Sequence, residues 1–139
     1  MKRIYLFLFI AIITISCSNT FSETDLAKLN GYWEIEEVVL PDGTKKEYKI
    51  NPTIDYFELK GREGKRTKVM PQFDGTYRTN ELSESFIIED KEDKTFIKYT
   101  TDNAKWEEEL IELTNEELTV KNEQGIEYHY IKPEPFSIK

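Results

Sequence analysis

The chain is poor in the residues that carry most protein chemistry. Its 139 residues include one cysteine, Cys17, and one histidine, His129. One thiol excludes an internal disulfide, and one imidazole leaves no recognisable ligand set for zinc. Positive charge is scarce: 19 Lys and Arg stand against 27 Asp and Glu, a net charge of −8. That balance argues against nucleic acid, whose phosphates require Lys and Arg. It also argues against a polybasic grip on anionic headgroups. The apolar run Ile4–Ile15 falls short of the roughly 20 residues of a membrane-spanning helix. No loop has the alternating acids around a central glycine that calcium requires.

What the first residues do contain is an address. A basic start (Lys2, Arg3), the apolar run, and Ser16 before Cys17 have the layout of a secretory signal. Thr14-Ile15-Ser16-Cys17 resembles a lipobox, with Thr14 where the bacterial motif usually has leucine. The resemblance implies cleavage before Cys17 and acylation of its thiol and new amino group. Acyl chains bind a bilayer at about 0.8 kcal/mol per buried methylene. Residues 1–16 are thus expected to be a signal peptide and 17–25 an acylated cysteine with a polar tether. The domain is expected over 26–132, with 133–139 as a tail. The tether lacks a strong acidic run, so the expected location is the outer membrane, facing the periplasm.

Aromatic residues are abundant: eight Tyr, eight Phe and two Trp. They bury large areas and favour strands. Thr24–Gly31 reads as one or two helical turns. From Tyr32 onward, strand candidates alternate with turn signals: Tyr32–Leu40, Lys45–Ile50, Thr53–Lys60, Arg66–Met70, Glu84–Glu89, Thr95–Thr101, Lys105–Leu113, Glu117–Lys121 and Ile126–Lys132. No connection is long enough for a helical crossover. The pattern predicts an all-β fold, a small antiparallel up-and-down barrel of eight to ten strands with a short N-terminal helix. Ala104–Leu113 also scans as helix, but its neighbours favour a strand. Apolar residues on both faces of the first strand predict two-sided cover or a bulge.

Catalysis finds little footing. His129 lies on the polar face of the last strand, and no Ser or Thr has an evident base partner. The runs Glu34/Glu36/Glu37 and Glu107–Glu109 offer paired carboxylates, yet in so acidic a chain they read as solvated strand edges. The expectation is no enzyme, no cofactor and no metal. A deep cleft in which Glu108 faces another acid across a barrel mouth is the arrangement that would point to one.

Gly31-Tyr32-Trp33, following a helical turn and opening the first strand, resembles the Gly-x-Trp signature of lipocalins, in the calycin superfamily. Leu113–Val120 and Ile126–Lys132 resemble the closing hairpin of the lipocalin-like domains carried by bacterial lipoproteins. The resemblance implies a barrel whose floor is closed by Gly31 and Trp33. Lipocalins usually stack an Arg from near the last strand on that Trp; here no Arg follows Arg78, leaving Lys105 or Lys132 as substitutes. The implied function is a lipid-anchored module that binds a small apolar or amphipathic ligand next to its membrane. Phe57, Met70, Phe73, Tyr77, Trp106 and Tyr128 are the candidate lining. The same aromatics read equally as the filling of a solid barrel, which a short chain favours. The protein is then an envelope scaffold for a protein partner, with the locally basic stretch Arg62–Arg78 as the loop to watch.

Overall fold

The computed structural model describes residues 20–133. The expected signal peptide, Cys17 and residues 134–139 of the expected tail lie outside the described residues. Helix α1 (Glu23–Leu26) is capped by Ser22, whose hydroxyl accepts from the Asp25 amide. A 3-10 turn, Ala27–Leu29, continues it. Nine strands follow: β1 (Gly31–Val39), β2 (Lys45–Glu47), β3 (Ile54–Lys60), β4 (Glu63–Pro71), β5 (Tyr77–Lys91), β6 (Lys94–Thr100), β7 (Lys105–Leu113), β8 (Glu117–Asn122) and β9 (Glu127–Ile131).

Each strand from β3 to β9 pairs antiparallel with the next, and β1 pairs with β3 and β9. Those eight strands close a barrel, as expected for this fold class. Strand β2 is an outer arm on the far end of β1. The 104–113 segment is strand β7, because its edges are taken by β6 and β8. The expected bulge in β1 lies between Ile35 and Glu37 against β9. Further bulges, at Thr67/Val69 and Leu110/Glu112, add local curvature.

The ends of the barrel differ. The helical turns and the short β3–β4, β5–β6 and β7–β8 turns gather at one end. The β1–β2, β2–β3, β4–β5, β6–β7 and β8–β9 connections gather at the other. The first end is closed. Leu26, Leu29 and Trp33 are fully buried there, and the indole Nε1 donates to Leu29 O at 2.8 Å. Leu118, Val120, Ile97, Leu110, Phe57, Phe86, Tyr99 and Tyr130 stack above them in one cluster. Phe57–Phe86 and Phe86–Tyr99 meet edge to face, the geometry that aromatic quadrupoles prefer. The lower barrel is filled by side chains.

Lys132 takes the place that the lipocalin Arg would hold. Its Nζ stands 3.9 Å from the Trp33 ring centroid and donates to Asn30 O at 3.4 Å. Lys105 is exposed at the start of β7, near the opposite end. Gly31 has φ +118°, and a Cβ there would lie 3.0 Å from Lys132 Nζ. Gly31→Ala is therefore expected to cost about 1–3 kcal/mol through backbone strain and to push the ammonium off the indole. Urea unfolding followed by Trp fluorescence checks both effects.

Candidate functional site: the open mouth above Arg66

Strand periodicity turns alternate residues inward. On β3 these are Asp55 and Phe57; on β4, Gly64 and Arg66; on β6, Ile97 and Tyr99; on β7, Glu108 and Leu110. The same pleat that fills the floor thus carries three charged groups into the interior one layer higher.

Arg66 is their centre. One terminal nitrogen donates to Tyr99 Oη (3.2 Å) and Glu108 Oε1 (3.3 Å). The other donates to Asp55 Oδ2 and Tyr130 Oη, both at 3.0 Å. The Phe57, Tyr99 and Tyr130 rings surround the guanidinium, with centroids 5.1–5.8 Å from Cζ. Its Nε is buried without a hydrogen bond. Arg66 thus seals the apolar core beneath it. Gly64 makes room two residues earlier, since a Cβ there would strike Glu58 O and the Phe86 ring.

The electrostatics follow from burial and this cation. Burial disfavours the charge on Arg66, but Tyr99, Tyr130 and Asp55 outweigh it and hold the guanidinium well above its usual range. Burial would raise the Asp55 carboxyl, but Arg66 and then Lys68 bring it below its usual value. Glu108 goes the other way: burial raises it, Arg66 opposes without reversing the shift, and the charges of Asp55 and Glu84 add to the rise. Tyr130 is pushed up to about 12 by burial.

Two opposite pH dependences result. Folding favours the neutral form of Glu108, so its contribution is complete below its usual value of 4.5 and is lost as pH rises through the raised value. Folding favours the charged form of Asp55, so its contribution is present above 3.8 and is lost as pH falls through the lowered value. Glu108→Gln is expected to gain stability relative to the parent chain as pH rises from 4.5. Asp55→Asn should lose most above 3.8. Urea midpoints across a pH series give both signs.

Above Arg66 the barrel opens. A cavity of about 610 Å³ is lined by Asp55, Arg66 and Lys68, by Leu82–Ser85 of β5, and by Thr100–Asn103 at the β6–β7 turn. Leu82 is the one apolar residue of its lining, although the carbon stems of the polar residues supply much of the wall. Lys68 Nζ lies 2.8 Å from Asp55 Oδ1. The contact is a charge-assisted ion pair, and it helps to hold the Asp55 carboxyl below its usual value.

None of the six aromatic and Met residues expected to line a ligand cup borders this cavity. Phe57 is packed in the core. Met70 is half-buried near the end of β4. Phe73 is 83% exposed on the β4–β5 turn. Tyr77 stacks at 4.0 Å on Tyr32, which stacks in turn on Tyr56. Trp106 lies against Tyr99 at 5.3 Å, and Tyr128 is half-buried against the core. The stretch Arg62–Arg78, expected as a loop, is mostly strand β4 and its turn into β5. Its basic residues divide, with Arg66 inward. Asp55 and Arg66 were not singled out by sequence. Glu108 was, and it does face an acid across the interior, with Arg66 between them.

His129 contacts Thr119 and Glu127, each at 3.2 Å. Among the described residues no cluster of His, Cys, Asp and Glu is arranged to hold a metal.

The family model described as a lipocalin-like domain matches residues 29–120. No curated protein matches the chain. Similar solved structures include a lipocalin-like protein from Bacteroides uniformis ATCC 8492. It is 14% identical, with 76% of this chain and 98% of that one covered and a TM-score of 0.47. Another is an uncharacterized protein from Bacteroides eggerthii DSM 20697. It is 15% identical, with coverage of 76% and 99% and a TM-score of 0.47.

Proposed function

This chain belongs to the lipocalin-like domain family, and from that membership we propose that it is a lipid-anchored binding module of the bacterial cell envelope. Its ligand is a small amphipathic molecule held in the open mouth. The observation that carries this reading is the cavity of about 610 Å³ above a core sealed by Arg66. A wholly apolar ligand suits the site poorly, because the space beneath Arg66 is occupied and the space above it mixes carbon surface with the charges of Asp55, Lys68 and Glu84. Binding is favoured over catalysis because both converging carboxylates, Asp55 and Glu108, are held by Arg66.

The anchor is the acylated Cys17, in the outer membrane and facing the periplasm. The chain enters the fold at the closed end, where the Phe21 amide donates to Thr95 Oγ1. From Cys17 to Phe21 the chain reaches at most about 14 Å. Nine-residue β1 spans about 30 Å. A lipid on Cys17 therefore brings the closed end to the bilayer and leaves the mouth facing away from it.

Native mass spectrometry after mild purification tests the binding reading. The parent chain should carry a small-molecule adduct that Glu84→Trp, which sets a bulky ring on the inward face of β5 across from Arg66, abolishes at a urea midpoint close to the parent's. An adduct that survives Glu84→Trp, or none on the parent chain, contradicts it. Cys17→Ser should move the protein to the soluble fraction and remove palmitate labelling; a variant still membrane-bound and processed contradicts the anchor.

A second reading, a scaffold for an envelope protein, draws on the filled core and on exposed apolar residues at the open end. Ile50 is 89% and Phe73 83% exposed there. In that case Phe73→Ser removes a reproducible cross-linked partner, whereas Glu84→Trp does not.

A further inference from the structure

The mouth already holds an ammonium group. Lys68 Nζ sits 2.8 Å from Asp55 Oδ1, although the Lys68 side chain is 56% exposed and that of Asp55 is 4%. A buried carboxylate oxygen whose partner is Lys68 is thus covered by a flexible arm that water can reach. An arm of this kind is easily displaced, because holding it still costs side-chain entropy that solvent contact does not repay.

The rest of the lining carries acid in excess. Arg66 is taken up by Asp55 and Glu108. Lys68 is the other cation of the lining, paired with Asp55, and the same lining includes Glu84 and Asp102. Glu84 is half-buried directly across from Arg66 in the β4–β5 ladder, and it makes no ion pair among the described residues. A carboxylate or phosphate head would meet these acids within a chain of net charge −8, so both the local and the long-range field oppose it. Leu82, exposed on the cavity rim, gives a short apolar stem something to lie against.

We propose that the mouth selects a small organic cation, an amine with a short apolar stem, whose ammonium replaces Lys68 Nζ on Asp55 Oδ1 and is also held by Glu84. This rests on the binding reading above and names its ligand class. Lys68 is then a built-in competitor, a positioning residue that keeps the empty site closed.

Three six-carbon probes separate charge from stem: hexylammonium, hexanoate and hexanol, each titrated into the folded full chain. The readout is the amide shifts of Leu82–Ser85 and Thr100–Asn103. Hexylammonium should move these amides and bind at least about tenfold tighter than hexanoate. Lys68→Ala should tighten hexylammonium by about threefold or more, and Glu84→Gln should weaken it. Tighter binding of hexanoate, or weaker binding of hexylammonium to Lys68→Ala, overturns the proposal. If hexanoate or hexanol moves the mouth amides and hexylammonium does not, the amine inference falls while mouth binding stands. If none of the three moves them, both fall.

Discussion

Arg66→Met is expected to destabilise the fold by about 3–5 kcal/mol, the loss that follows when one partner of a buried ion pair is removed. Asp55 and Glu108 would remain inside with no guanidinium between them, and the Tyr99 and Tyr130 hydroxyls would each lose a donor. The carboxyls would then ionise against burial and against each other. Stability of the variant should fall more steeply than that of the parent as pH rises. The loss belongs to the orphaned acids and not to the missing side chain. Arg66→Met combined with Asp55→Val and Glu108→Leu should therefore recover most of it, since apolar replacements of buried ionic groups are often neutral or better. Urea midpoints of the single and triple variants decide this. A single variant within about 1 kcal/mol of the parent would mean that the cluster is hydrated rather than sealed.

Trp33→Ala should cost a similar amount, about 3–5 kcal/mol, for a different reason. The indole is fully buried at the point where the helical turns meet the strands, so truncation leaves a cavity that its rigid neighbours fill poorly. It also removes the donor to Leu29 O and the surface beneath Lys132. Leu26 and Leu29 should loosen with it, so amide exchange over 23–30 should rise by more than the global loss explains. Trp33→Phe keeps much of the volume and should lose about half as much. Exchange that stays uniform across the chain would show that Trp33 does not tie the helical turns to the barrel.

Much of this architecture was legible in the chain. Turn signals such as Pro41-Asp42-Gly43 and Thr114-Asn115-Glu116 fall between observed strands, because hairpin turns require residues that tolerate tight backbone geometry. Gly31-x-Trp33 marked the floor, and Lys132 was one of two substitutes weighed for the stacking cation. The mouth was harder to see. Arg66 sits among Arg62, Lys65 and Lys68, so its inward direction depends on β4 register, which one sequence does not fix. Asp55 follows buried Ile54 and precedes Tyr56 and Phe57, a stretch apolar on both faces in which alternation is lost. Glu108 did leave a trace, as the acid between Trp106 and Leu110 on an otherwise apolar face of β7. The aromatic candidates failed to meet because aromaticity predicts burial or stacking, not which side of a barrel wall a ring will take.

The central claim is that the barrel is solid up to Arg66 and open above it. Xenon enters apolar voids and leaves packed cores empty, so a crystal pressurised with xenon tests the claim without reference to any ligand. The account predicts no xenon among Trp33, Phe57, Phe86, Leu118 and Val120. An atom of xenon bound among those side chains would contradict it and return the ligand site to the barrel interior.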